Sequence, residues 1–351
     1  MPKNILINLT YYYPNISGLS QYAKILAEEL VKRGYRITVL CGKHQQDLAE
    51  SDNVNGVKIV RLGAIRIGKG LVVPSIIWKS INLVKNTEVI NCHFPSVEGV
   101  GVAILAKIFR KKLIVTYHCH YSWLAEWWLW PTCVLADKIV VNSIDYIEGN
   151  GLLKSFWGKI VEIWPPIQIP LPAKAGHLPL RKGRNTKSKK IIGFLGRISK
   201  EKNLEVLIEA MKKLPEMELW LAGPKDIAGE KKYKEKITRL IIDNPNIKQL
   251  GYVDNVADFY KKINCLVLPS NNTLESFGMV SAEAIKCGTP VVASNLPGIR
   301  VPVWISGIGE LFDPGDSNDL VNKIKKVLVT KYRRKADLDF RKTIDEYEKI
   351  F

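Results

Sequence analysis

Two carboxylates eight residues apart, Glu275 and Glu283, bracket Ser276-Phe277-Gly278-Met279 and run on into Cys287-Gly288-Thr289-Pro290. Ahead of them, Cys265 to Ser270 reads as a short buried strand, and the apolar spacing of Met279, Ala282 and Ile285 predicts a helix that Gly288 ends. Glu275 then falls in the loop before the helix and Glu283 within it. At ~1.5 Å rise per residue, Glu283 lies roughly 9 Å along the axis from Phe277, about the span from a diphosphate to the ribose behind it. The free amides of Phe277, Gly278 and Met279 at a helix start make an anion site, and a glycine lets a phosphate come close. The chemistry expected is recognition of a nucleotide sugar, with one carboxylate toward the sugar and the other toward the ribose.

A second group of charges follows the apolar run Ile191 to Leu195. Arg197 offers a forked pair of hydrogen bonds to a phosphate and Lys202 a compact point charge, which together would neutralise a departing nucleoside diphosphate. Read in isolation, the two are exposed loop charges paired with Glu201. Their place between a strand and a helix capped by Asn203 favours the phosphate reading. In the N-terminal half, Gly18 ends Pro14-Asn15-Ile16-Ser17-Gly18 ahead of a helix from about Tyr22, where it can bring backbone amides to a phosphate. His118 follows the strand-like Leu113 to Tyr117, with His93 and His120 competing for its role. A zinc site of His93, His118, Cys119 and His120 lacks fixed ligand spacing, so no metal is expected.

These motifs resemble the retaining glycosyltransferases of family four, the group 1 enzymes that include glycogen-synthase-like and mannosyltransferase-like members. Gly193 to Asn203 matches that family's strand-to-helix loop, and Leu221-Ala-Gly-Pro224, Leu250-Gly-Tyr-Val253 and Leu311-Phe-Asp-Pro-Gly-Asp316 follow in the family's order. The likeness is strong from about Lys190 to Asp316 and weaker from Ile5 to Val141. It implies an α/β GT-B fold, two Rossmann-like domains facing across a deep cleft, with acceptor bound by the first and donor by the second. Arg197 and Lys202 would hold the donor diphosphate, Glu275 a donor-sugar hydroxyl, Glu283 the ribose hydroxyls, and His118 the donor sugar or the acceptor. Ser276, Phe277, Gly278 and Met279 would complete the donor site. Where the family commonly has two adjacent glycines, this chain has Ser17-Gly18-Leu19, which weakens the expectation of close backbone approach there. Retention is implied through same-face attack, the leaving phosphate oxygen accepting the acceptor's proton without a protein base. No cofactor is expected, and positive side chains with helix amides take the place of the metal-holding Asp-x-Asp pair of the other large nucleotide-sugar transferase fold.

The rest of the chain must position these residues. Strand-like and helix-like runs alternate from Ile5 to Asn142 and again from Ile191 to Ala293, which implies two parallel sheets covered by helices. Prolines in Ile163-Trp-Pro-Pro-Ile-Gln-Ile-Pro-Leu-Pro172 mark the linker, giving domains 1–165 and 166–331. Residues 332–351 read as a polar helix, which in the resembling fold crosses back to the first domain. With 351 residues, 46% of them hydrophobic, two cores are affordable. Six cysteines without a Cys-x-x-Cys pair are expected to be reduced and packed.

The formal charge of +18 fits a nucleic-acid binder, a membrane-surface protein or an enzyme of phosphorylated substrates. No RNA-recognition, helix-turn-helix or zinc-finger signature is present, so nucleic acid is not an expected partner. Without a signal-peptide pattern or a membrane span, the expected location is the cytoplasm. The aromatics from Tyr117 to Trp130, beside Lys107, Arg110, Lys111 and Lys112, point to a glycan or lipid-linked acceptor and to peripheral contact with an anionic membrane. Two rival readings stay open: a nucleotide-sugar epimerase of the same fold, which needs its own acid and base carboxylates, and a basic non-enzymatic glycan- or nucleic-acid-binding protein.

Overall fold

The computed structural model describes residues 3–67, 70–119, 123–168, 189–224, 231–272 and 274–351, apart from the side chains of 67, 70 and 123–128. Two compact units divide the chain: Met1–Ile167 with Asp339–Phe351, and Gln168–Leu338. Both rest on a largely parallel sheet.

Strands of the first unit are β1 (Asn4–Asn8), β2 (Arg36–Lys43), β3 (Ser51–Val54), β4 (Val57–Gly63), β5 (Ile65–Ile67), β6 (Gly70–Val72), β7 (Val89–Phe94), β8 (Lys112–Tyr117), β9 (Lys138–Val141) and β10 (Ile160–Glu162). Its helices begin with α1 (Gly18–Lys32), α2 (Ile76–Lys85), α3 (Glu98–Ile108), α4 (Trp123–Leu135) and the short α5 (Gly151–Lys154). The main sheet runs β10-β9-β8-β7-β1-β2-β4-β3 and is parallel except for the β3–β4 hairpin, while β5 and β6 pair separately. Every residue of β7 is buried, as a parallel strand covered on both faces requires. Chain order reverses between β1 and β7, and ligands of open α/β sheets bind beyond the strand ends at such a point.

α1 starts four residues earlier than its apolar spacing predicts. The Ser17 hydroxyl accepts from the Ser20 amide and the Ser20 hydroxyl from the Ser17 amide, a reciprocal cap that satisfies two donors a helix start leaves open. Gly18 therefore opens the helix instead of ending the loop, and the space beside it is open. Tyr22, Ala23, Leu26 and Leu30 then bury one face of α1 against Ile5, Ile7 and Val39.

Strands of the second unit are β11 (Ile191–Leu195), β12 (Glu218–Ala222), β13 (Ile247–Gly251), β14 (Cys265–Leu268), β15 (Val291–Ser294) and β16 (Gly309–Phe312). Around them lie α6 (Leu204–Lys212), α7 (Lys231–Ile242), α8 (Val256–Lys262), α9 (Met279–Lys286), α10 (Val301–Ser306) and α11 (Ser317–Val329). The sheet is parallel in the order β13-β12-β11-β14-β15-β16, so its switch point lies between β11 and β14. At that end the loops after β11 and β12 nearly touch: a Cβ on Gly223, which has φ +148°, would sit 1.9 Å from the Gly196 carbonyl oxygen.

The C-terminal helix α12 covers only Lys342–Ile350, and residues 332–341 are not helical as the sequence reading expects. Burial explains the difference: Leu338 and Phe340 are both 3% exposed, and the Phe340 ring lies 6.4 Å from that of Trp164. Burial of two apolar side chains two positions apart, four and two residues ahead of α12, suits extended rather than helical backbone. The helix itself is polar on one face only, since Ile344 and Tyr347 are buried in the first unit's core. Of the predicted linker, Ile163 and Ile167 are buried, whereas 169–172 and the basic stretch through 188 lie outside the described residues.

Candidate active site

β11 delivers its carboxyl end to a loop in which Arg197 is half exposed and donates to Glu201 Oε1 at 3.0 Å. Ser199 donates to the same oxygen at 2.5 Å. One turn on, Lys202 is 12% exposed and its Nζ lies 2.5 Å from Glu275 Oε1, while Ser270 donates to Glu275 Oε2 at 2.7 Å. Lys202 and Glu275 stand 73 positions apart in the chain, and the reversal of strand order between β11 and β14 is what brings their loops together. An added tie, from the Asn271 amide to the Glu201 carbonyl at 3.1 Å, fixes the two loops to each other. Asn203 occupies the N-cap position of α6 but does not cap it: its backbone is left-handed, its side chain makes no cap bond, and the Leu204 amide donates to the Tyr233 hydroxyl.

Behind Glu275, Ser276 and Phe277 are buried and Gly278 has φ +69° and ψ +56° at the N-cap of α9. A Cβ there would meet the Ile299 carbonyl oxygen and Leu268 at 3.3 Å, and a left-handed backbone already disfavours any larger residue. The motif thus turns the chain from loop into helix so that Met279 begins α9 with amides that have no intrahelical acceptor. Glu283 lies one turn further on, half-buried, with its Oε2 accepting from the Tyr260 hydroxyl of α8 at 2.7 Å. Burial raises the Glu283 carboxyl to about 7, against a smaller lowering by the Tyr260 hydrogen bond. Thr289 in turn donates to the Tyr260 carbonyl at 2.6 Å, so both ends of Tyr260 are held. Neither Ser270 nor Tyr260 stands out in the sequence: Ser270 is an ordinary strand-end hydroxyl five positions before Glu275, and Tyr260 meets Glu283 from 23 positions away.

The first unit holds the other candidates. His118 follows β8 and is 9% exposed, and its Nε2 lies 2.8 Å from Nδ1 of the fully buried His93 at the end of β7. Burial pushes His118 down to about 3, and burial with the neighbouring imidazole holds His93 well below its usual range, so both rings are neutral at physiological pH. The Tyr22 and His118 rings meet edge to face, 4.6 Å between centroids. Tyr22 hydrogen-bonds Tyr347 of α12, which reaches Thr116, which donates to Asn91. The two histidines that the sequence sets in competition are therefore one unit, and His93 is the inner member. His120 lies outside the described residues, as do the side chains of 123–128. Nearby, the buried Glu98 accepts from Thr10 at 3.1 Å and Ser96 at 2.7 Å, tying the loops that flank the β1–β7 switch point.

Among the described residues no cluster of three His, Cys, Asp or Glu side chains is placed to hold a metal ion. The Asp-x-Asp spacing does occur, at Asp337-Leu338-Asp339, but Asp337 pairs with Arg334 at 3.0 Å and Asp339 with Arg341 at 2.8 Å, with Leu338 buried between them.

Residues 180–347 match the family described as Glycosyl transferases group 1, and residues 16–146 match Glycosyltransferase Family 4. The chain belongs to the group 1 glycosyltransferases. It is 28% identical to the sulfoquinovosyl transferase of Arabidopsis thaliana over 69% of this chain and 50% of that one. Among solved structures, a sucrose-phosphate synthase from Thermosynechococcus elongatus superposes with a TM-score of 0.74 at 20% identity, covering 99% of this chain and 96% of that one. HepE of Anabaena, solved with UDP and glucose, gives 0.73 at 18% identity, covering 99% and 93%. These likenesses establish the GT-B fold, and the family makes this glycosyltransferase a transferase enzyme.

Proposed function

We propose that this glycosyltransferase moves a sugar from a nucleoside diphosphate sugar to a glycan or lipid-linked acceptor, with retention of anomeric configuration and without a required metal. The observation that carries the reading is the Lys202–Glu275 pair, which sets the cation expected to bind phosphate beside the carboxylate expected to bind sugar at the β11–β14 switch point. Arg197 is the exchangeable partner: half exposed and paired with one carboxylate, it can exchange Glu201 for the diphosphate at little cost, since an exposed pair is worth only about 0–1 kcal/mol. Two cations and the α9 amides then stabilise the leaving group electrostatically. Glu275 takes a donor-sugar hydroxyl, Glu283 the ribose hydroxyls, and neutral His118, steadied by His93, a hydroxyl of donor or acceptor. Gly18 offers open backbone to a phosphate. The work is assigned to the cytoplasm, at an anionic membrane face, and nucleic acid is not a partner.

The test is turnover of the nucleoside diphosphate sugar that most raises the melting temperature in a screen of uridine, guanosine and adenosine donors. Arg197→Ala and Lys202→Ala should each lower turnover by roughly a hundredfold with the fold intact. Near-normal rates in both folded variants would remove them from the site.

A further inference from the structure

α3 is apolar almost all round, although only one of its faces meets the core. Val102, Ala103, Leu105 and Ala106 point inward, while Val97 just before it, Ile104 and Ile108 face out at 49%, 44% and 64% exposure. Those three follow a spacing of seven and four residues, so they line one stripe. α3 packs between α2 and α4. Ile77 of α2 lies close over α3, where a Cβ on Gly101 would stand 2.9 Å from it, and beside it Trp78 is 76% exposed. On α4, Trp130 and Val134 are exposed one turn apart. A solvent-facing helix surface ordinarily carries charge, and a continuous apolar patch marks a docking site.

At the C-terminal end of the stripe the chemistry changes to cations. Lys85 Nζ lies 5.1 Å from the centroid of Phe109, Lys111 donates to the Lys85 carbonyl at 2.7 Å, and Arg110 is exposed next to them. Lys159 donates to the carbonyls of Cys133 and Val134 at the end of α4. Asp137 occupies Lys107 at 2.6 Å. A second copy of this chain is a poor occupant, because each copy has a formal charge of +18 and lysine is depleted at protein interfaces. An apolar stripe with an aromatic at its side and a lysine–arginine rim is the pattern of a surface that lies on anionic lipid.

We infer that the α2–α3–α4 face of the first unit docks on an anionic bilayer, with Trp78, Ile104 and Ile108 entering the headgroup boundary and Lys85, Arg110 and Lys111 meeting lipid phosphates. This deepens the membrane part of the proposed function. The stripe begins at Val97, four residues beyond His93, so a lipid-held acceptor would approach from the edge where the strands of the sheet end.

Flotation with vesicles of phosphatidylglycerol and phosphatidylcholine, against phosphatidylcholine alone, tests it on the full chain. The wild type should float with the anionic vesicles and partly persist at physiological salt. Trp78→Ser/Ile104→Ser/Ile108→Ser should lose at least roughly tenfold in partitioning at that salt, the burial of three apolar side chains being lost. Lys85→Ala/Arg110→Asn/Lys111→Ala should lose roughly a hundredfold at low salt. Both variants should keep the wild-type melting temperature and the stabilisation by whichever nucleoside diphosphate stabilises the wild type, which separates this inference from the donor reading. Absence of wild-type binding at low salt, or unchanged partitioning of the folded variants, would overturn it. So would light scattering that shows a dimer dissociated by the same substitutions.

Discussion

Glu283 carries a testable tension between stability and function. Its carboxyl is raised from 4.5 to about 7 by burial, so the folded chain binds a proton that the unfolded chain releases. The stability from this group is complete below about 4.5 and is lost as pH rises through about 7. Glu283→Gln keeps an acceptor for the Tyr260 hydroxyl without the buried charge. It should therefore be more stable to unfolding than the wild type at pH 8, by up to about 3 kcal/mol, and match it near pH 4. Ribose hydroxyls donate best to the ionised carboxylate, so affinity for the nucleoside diphosphate sugar should rise between pH 6 and 8 in the wild type and stay flat in the variant. A donor sugar is the right ligand for this titration because its diphosphate has no proton to lose in that range. Flat wild-type affinity measured by calorimetry would detach Glu283 from the ribose. At this scale the sequence shows the charged residues and hides their partners: Glu275 and Glu283 are legible from their spacing around a helix start, whereas the role of Ser270 depends on how the loop before Glu275 folds and that of Tyr260 on tertiary contact.

Strands are legible in the sequence where burial is continuous over a short run. β1, β7, β8, β11 and β14 are short apolar runs closed by polar residues, and their parallel pairing follows from the helices between them. α1 starts ahead of its apolar periodicity because the Ser17–Ser20 cap is a local hydrogen-bond effect that periodicity does not report. α12 differs from its expected length and polarity for another reason: the apolar groups of its inner face are only Ile344, the partly buried Ile350 and the ring of Tyr347, whose hydroxyl has partners on α1 and β8. Tyr347→Phe should destabilise the first unit by about 1–3 kcal/mol, because it strips buried hydroxyls of a partner. Tyr347→Ala should remove about 3–5 kcal/mol through the cavity it leaves. Denaturant unfolding checks both, and an unchanged midpoint for Tyr347→Ala would mean that α12 is not held by this contact.

For the whole molecule, two main sheets, one wholly and one largely parallel, each reverse strand order once, and the candidate residues gather at those reversals: His93, His118 and Glu98 in the first unit, Arg197, Lys202 and Glu275 in the second. Composition alone could not have separated an enzyme from a nucleic-acid binder at +18. The motif order did, and the family match agrees with it. What the sequence concealed at this scale is the outward-facing apolar surface of α3, since a helix that is apolar all round reads as core until its neighbours are known.

The central claim is retaining transfer driven by cations and helix amides, and it is tested most directly by proton NMR of donor turnover in a chelating buffer. The stabilising nucleoside diphosphate sugar is incubated with the enzyme, water serving as acceptor, and the first anomer of sugar to appear is identified before it equilibrates. The expected result is turnover without added divalent metal and release of sugar in the donor's own anomeric configuration. Inverted sugar, a new nucleotide-sugar epimer in place of free sugar, or activity that returns only when magnesium or manganese is supplied would contradict it.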